Sequence, residues 1–253
     1  MIRKIIEMLA DRIYPGELYC LCCGKAIDWT RPYGLCDNCM NNMKWATGRL
    51  CDKCGKILSP NNPDDTCYNC RANEHRFNHG FTCTEYGAHD RSLVYSLKYD
   101  EKPAIARTVG EIMADRMLSE FTPDELQSRY DLLVPVPISQ ERLELRGYNQ
   151  AALIADYFAR KTGLHFGGEI LKRDEDTVAM KGLTPAERRL NLRGRFSLMD
   201  GRRTLVQNAS CLIVDDIVTT GATVDEVAEV LYASGAKQVD FVSFASGADV
   251  VKS

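Results

Sequence analysis

Cys211–Thr223, CLIVDDIVTTGAT, is the stretch on which the reading of this 253-residue chain turns. Cys211 to Val214 is a short apolar run, the pattern of a buried strand. Asp215 and Asp216 stand at its C-terminal end, and a small, hydroxyl-rich loop follows: Thr219, Thr220, Gly221, Ala222 and Thr223. From there to about Ser234, Val224, Val227, Ala228 and Leu231 recur at helical spacing. A helix N-terminus offers unpaired N–H groups and the positive end of a dipole, so the loop suits a phosphate. Gly221 lets the backbone come close to it. The carboxylates repel that phosphate. They require a partner that donates protons or carries positive charge, such as sugar hydroxyls or a metal ion. A phosphate beside a hydroxylated ring is a sugar phosphate. A plain strand and capped helix, with Thr223 as N-cap and Glu226 three residues on, accounts for those two residues. It does not account for two adjacent Asp followed by Thr-Thr-Gly.

A second unit of the same kind lies upstream. Tyr130–Val136, YDLLVPV, reads as a buried strand closed by Pro135 and Pro137. The loop Ile138–Asn149, ISQERLELRGYN, carries Arg142, Arg146 and Gly147, and a helix Gln150–Lys161 follows. Arg146 brings a fixed charge and a planar fork suited to phosphate oxygens; a solvated surface arginine is the alternative. Phe81–Gly87 alternates as a strand, and His89–Tyr99 reads as a short helix with Lys98 near its end. Pro103 starts a helix to Phe121, Thr122 caps another that opens at Pro123, and Lys237–Ser246 is a last strand. Lys98 is either a solvated lysine or a residue that reaches a phosphate. Strands alternating with helices give an α/β class with a mostly parallel sheet, and such sheets bind ligands at the carboxyl ends of their strands.

The first 80 residues are different. Nine of the eleven cysteines lie before residue 71. Cys20 and Cys23, and Cys36 and Cys39, form two Cys-x-x-Cys pairs with twelve residues between them. Cys51 and Cys54, and Cys67 and Cys70, repeat this with a period of 31. Two Cys₄ zinc ribbons in tandem are the natural reading, with Gly24 and Gly55 in the knuckle turns. A cross-braced pairing remains open, as does one degenerate site. Redox pairs or ordinary buried cysteines fit four matched pairs poorly. Cys22 is out of register, and a full Cys₄ set makes His75 and His79 unnecessary as ligands. A module this thin in apolar residues depends on its metal.

Composition bounds the function. With 45% hydrophobic residues the chain supports one medium domain plus a small one. It holds no run of about 18 apolar residues, so no membrane span is expected. The N-terminal stretch lacks a secretory apolar core and reads as an amphipathic helix with Ile2, Ile5, Ile6, Leu9 and Ile13 inward, which suits a cytoplasmic protein. A net charge of −3 excludes a protein that is a non-specific polyanion binder over its whole surface. Residues 172–203 are locally basic, with nine Lys and Arg against five acids. Such a run can cover an anionic ligand, track a nucleic-acid backbone or be a charged surface loop.

CLIVDDIVTTGAT resembles the signature of the type I phosphoribosyltransferases, whose substrate is phosphoribosyl pyrophosphate (PRPP). The resemblance implies that Asp215 and Asp216 bind the ribose hydroxyls and that Thr219, Thr220, Gly221, Ala222 and Thr223 hold the 5′-phosphate. It makes Ile138–Asn149, with Arg146 and Gly147, the pyrophosphate loop, and Arg173–Leu190 a loop that closes over the ligand and excludes water. VPVP, RGYNQA, LKR, AERRLN and VDDIVTTGAT, behind the paired cysteines and an LKY segment, are more closely similar to the ComF family. Those proteins are linked to DNA uptake in competence and to the use of external DNA. The resemblance spans essentially the whole chain. It implies a type I phosphoribosyltransferase fold behind a double zinc ribbon, with Zn²⁺ in the ribbons and Mg²⁺ with PRPP. Single-stranded DNA and competence-machinery proteins are the partners it suggests. The expected organisation is residues 1–80 for the helix and ribbons and 81–253 for the α/β domain. Chain order puts the acceptor-selecting hood within 81–129, most plausibly Phe81–Tyr99. Two functions stay open: pentosyl transfer to an unnamed acceptor, or a non-catalytic module that senses PRPP or a 5′-phosphate and contacts single-stranded DNA or partner proteins.

Overall fold

The computed structural model describes residues 18–99, 104–173 and 194–250. The expected amphipathic N-terminal helix and nearly all of the expected closing loop Arg173–Leu190 fall outside the described residues. In chain order the elements are α1 (Asp37–Asn42), β1 (Lys44–Trp45), α2 (Tyr68–Ala72), β2 (Gly80–Glu85), α3 (Ala88–Tyr99), α4 (Ala104–Leu118), α5 (Pro123–Arg129), β3 (Leu132–Pro135), α6 (Gln140–Arg146), α7 (Gln150–Thr162), β4 (Leu171–Arg173), β5 (Phe196–Leu198), α8 (Arg203–Val206), β6 (Ser210–Val218), α9 (Ala222–Ala233) and β7 (Gln238–Ser246).

The main sheet has the order β1-β2-β7-β6-β3. β2, β7, β6 and β3 run parallel, and β1 joins the β2 edge antiparallel. Strand residues alternate between two apolar layers, as a sheet covered on both faces requires. Leu133, Leu212, Val214, Val242 and Phe244 face the layer of α4 and α7. Val134, Cys211, Ile213, Val239 and Phe241 face the layer of α9. Local chemistry sets the helix ends. Thr122 and Glu125 form a reciprocal capping box on α5, and α7 stops at Gly163 in a left-handed turn.

The two ribbons straddle the sheet. Ribbon 1 (Cys20, Cys23, Cys36, Cys39) packs into the α4/α7 layer through Leu35, Cys36, Cys39 and Met43. Ribbon 2 (Cys51, Cys54, Cys67, Cys70) packs into the α9 layer through Cys54, Leu58 and Cys67. Between them, β1 pairs Lys44 with Glu85 and Trp45 with Thr84. Asp249, just beyond β7, accepts hydrogen bonds from Ser59 N, Asn62 Nδ2 and Tyr68 N, tying ribbon 2 to the end of the sheet. The metal-binding segment is therefore built into the α/β body.

Two expectations change. Ile138–Asn149 is not a plain loop, because Gln140–Arg146 is helical and Gly147 closes it at φ 74°. The proposed hood segment divides. Gly80–Glu85 is a buried strand inside the sheet, and only α3 remains free to reach a ligand. Among the described residues, no helix is long and apolar enough to cross a membrane.

Candidate functional site

β3 and β6 are parallel neighbours, so the segments after them meet at one carboxyl edge. A cavity of about 280 Å³ opens there, lined by Lys98, Asp215 and the run Ile217–Val224. β6 continues to Val218, four residues past the apolar run, so Asp215 and Asp216 are strand residues. They are 8% and 4% exposed. Gly221 sits at φ 80° directly before α9, and the helix starts at Ala222. Thr223 is therefore inside the helix rather than its cap. Glu226 instead accepts from Gly194 N at 3.1 Å. The left-handed turn at Gly221 places the first turn of α9 in the cavity wall, and a helix N-terminus beside a cavity favours an anion.

The electrostatics are asymmetric. Lys98 Nζ lies 2.5 Å from Asp216 Oδ2. Burial and the neighbouring Asp216 charge push Asp215 well above the usual carboxylate range. Burial acts upward on Asp216 too, but the Lys98 charge and hydrogen bonds outweigh it and hold Asp216 below its ordinary value. Burial depresses Lys98, and the two aspartates more than restore it. Asp215 Oδ1 accepts from Asp216 N at 2.8 Å. One lysine thus stands against two buried carboxylates, a set that suits hydroxyl donors or a further cation.

Lys98 lies on α3, opposite β6, and its charge is engaged by Asp216 rather than held against the Thr219–Thr223 turn. Arg146 ends α6 outside the cavity wall, with Nη1 2.9 Å from Gln150 Oε1. It is close enough for its charge to oppose that of Lys98. Gly147 follows it and is exposed. Tyr148 donates to the Leu97 carbonyl at 2.6 Å, fixing this corner against α3.

Both cysteine tetrads are assembled sequentially, with the four Sγ atoms of each within 4.8 Å of one another. Cys23 and Cys36 are 3.7 Å apart at sulfur, and so are Cys54 and Cys67. A tetrahedral ion with Zn–S near ~2.3 Å sets S···S at about 3.8 Å, so zinc fits both. Backbone N–H groups of Cys36 and Cys67 donate to Cys20 and Cys51 sulfurs. Gly24 and Gly55 take φ 72° and 68° in the knuckles. These are structural zinc sites. Cys22 and His89 lie against Cys39 at the edge of ribbon 1. His75 and His79 are not ligands: His75 bonds Asp225 and Asn69, and His79 stacks edge-on against Phe81.

Residues that the sequence did not single out lie behind the Thr219–Thr223 turn, all from ribbon 2. Lys56 Nζ donates to the Thr219 carbonyl at 3.3 Å, and Asn69 Nδ2 to the Thr220 carbonyl at 3.1 Å. The cue was present but ambiguous. Lys25 and Lys56 occupy the same place in the repeat, yet Lys25 is exposed and Lys56 is buried.

Comparison with known proteins finds relatives of both the cysteine-rich segment and the α/β segment. A double zinc ribbon domain model matches residues 9–89, and a phosphoribosyl transferase domain model matches residues 143–250. The DNA utilization protein YhgH of Salmonella typhimurium is 28% identical over 207 residues, covering 82% of this chain and 88% of that protein. Competence protein F of Haemophilus influenzae is 27% identical over 206 residues, covering 81% and 87%. Competence protein ComFC of Bacillus subtilis is 26% identical over 245 residues, covering 92% and 91%.

Proposed function

We propose, from the premise that this chain is a ComF homologue with a double zinc ribbon ahead of a type I phosphoribosyltransferase fold, that its cavity binds PRPP as the magnesium complex and that it transfers the phosphoribosyl group in the service of DNA utilization. The observation that carries this reading is the cavity itself, in which one wall joins Asp215 to the Thr219–Thr223 turn and the N-terminus of α9. In this reading Asp215 and Asp216 accept hydrogen bonds from ribose hydroxyls. Thr219–Thr223 hold the 5′-phosphate. Arg146, with Gly147 giving the backbone room, faces the departing pyrophosphate, whose charge the accompanying magnesium also offsets. An acceptor atom forms a bond to the anomeric carbon as the bond to pyrophosphate breaks. Pyrophosphate leaves with the electron pair, and the acceptor's proton passes to solvent.

Positioning and charge supply the catalysis, without a protein nucleophile. Burial pushes the Cys83 and Cys211 thiols up to about 12, which removes both as nucleophiles at neutral pH. The test is pyrophosphate release from PRPP and Mg²⁺ with nucleobases, amines and single-stranded DNA as acceptors. Release that depends on an acceptor and disappears in Asp215→Ala/Asp216→Ala supports transfer. Binding of PRPP without release in any condition replaces the enzyme with a PRPP-sensing module.

A further inference from the structure

We propose that ribbon 2 is a positioning element of the phosphate loop, acting through Lys56, Asn69 and His75. Lys56 is 5% exposed, and its ammonium meets the Thr219 carbonyl. Asn69 Nδ2 meets the Thr220 carbonyl at 3.1 Å and His75 Nε2 at 3.1 Å. On its other side His75 Nδ1 meets Asp225 Oδ2 at 2.9 Å, in the first turn of α9. Arg76 N donates to the second oxygen of Asp225 at 2.9 Å. This network assigns the ring proton of His75 to Nδ1, leaving Nε2 to accept from Asn69. An unbroken path of hydrogen bonds thus runs from the helix that follows the loop, through ribbon 2, back to the loop.

The geometry of the peptide unit gives the path its purpose. Each unit is planar and trans, so its C=O and N–H point in opposite directions. Drawing the Thr219 and Thr220 carbonyls toward ribbon 2 turns the N–H groups of Thr220 and Gly221 the other way, to the cavity side. Those are the donors an anion needs. The ribbon also limits the loop sterically, since a Cβ on Gly221 would stand 2.9 Å from His75 Cε1. The sequence repeat supplies an internal control. Lys25 and Asn38 hold the ribbon-1 positions that match Lys56 and Asn69, and both are exposed.

The proposal takes PRPP as ligand from the reading above, and its test separates the two. Zinc-loaded, full-length Asn69→Ala, Lys56→Met and Asp225→Asn are compared with Lys25→Met and Asn38→Ala. Asp225→Asn takes away one of the two acceptor oxygens that His75 and Arg76 N use, so it weakens the path from the helix side without altering the ribbon. Three readouts are used: zinc content, amide exchange of the 218–224 segment, and calorimetric titration with PRPP and Mg²⁺. Each path variant is expected to keep two zinc ions, to exchange faster in the loop, and to bind PRPP on the order of tenfold more weakly, the loss of about one buried hydrogen bond. Lys56→Arg is expected to recover binding, and the ribbon-1 controls to match wild type. Path variants that match wild type in both exchange and binding overturn the proposal, as do ribbon-1 controls that weaken binding equally. If wild type fails to bind PRPP, the exchange readout still decides: faster exchange confined to the path variants upholds the positioning role, and unchanged exchange overturns it.

Discussion

Replacing Lys98 by Met removes the one lysine paired with the buried acid pair while keeping side-chain length. At 2.5 Å the Lys98–Asp216 attraction is about 7 kcal/mol for an effective dielectric of about 20. Desolvation of both groups offsets much of it, and deleting one partner of such a buried pair costs about 3–5 kcal/mol. The orphaned Asp216 can escape part of that cost by taking a proton, which makes the loss depend on pH. In the wild type Asp216 is held below its ordinary pKa. Its contribution is therefore present above the unfolded carboxylate value, near ~3.9, and is lost as pH falls through the lower folded value. In Lys98→Met the folded pKa rises above the unfolded one. The folded state then binds the extra proton, and stability falls as pH rises. Asp215, already raised in the wild type, loses the same lowering charge of Lys98 and moves in the same direction. The stability difference between the two proteins should thus widen with pH, by up to about 1.4 kcal/mol per unit between the two folded values. Urea unfolding of both zinc-loaded proteins at pH 5, 6, 7 and 8 measures this, with contributions from the ribbons common to both. A difference that is flat across the series, or absent, refutes the ion-pair account.

Three further outcomes are expected. Gly221→Ala places a side chain at φ 80° and 2.9 Å from the His75 ring; it should destabilise the chain by about 1–3 kcal/mol in thermal or urea unfolding and weaken PRPP binding. Cys51→Ser and Cys20→Ser should each lower the metal content by one zinc per chain, because the tetrads are sequential; a loss of both ions from a single change would contradict that pairing. Tyr130→Phe leaves buried Asp240 Oδ2 without its 2.7 Å hydroxyl donor and should cost about 1–3 kcal/mol in urea unfolding while leaving PRPP affinity unchanged.

Much of this molecule is legible in the sequence because its strongest signals are local. The 31-residue cysteine period puts four sulfurs on each ion, and the tetrads assemble in that order. The apolar run before Asp215 announces β6, and Thr122 and Pro123 mark their own helix start. What was misread depends on the fold. The length of β6 is set by pairing with β7 through Val218, which periodicity over Cys211–Val214 cannot show. The start of α9 is fixed by the left-handed turn at Gly221 packed against His75, so the cap that the plain strand-and-helix alternative gave to Thr223 does not form. β2 becomes a core strand rather than part of a hood because β1 from the ribbon covers its outer edge. Lys25 and Lys56 have matching local sequence and opposite burial. Only the placement of the two ribbons on opposite sheet faces separates them.

The central claim is that the cavity at the end of β6 is a PRPP site held by Asp215, Asp216 and the Thr219–Thr223 turn. Calorimetric titration of the zinc-loaded protein with PRPP and Mg²⁺, beside Asp215→Asn/Asp216→Asn, tests it most directly. The account predicts saturable 1:1 binding by the wild type, competition by ribose 5-phosphate, and loss of binding in the double variant with zinc content unchanged. Equal PRPP affinity in the wild type and the double variant would contradict it.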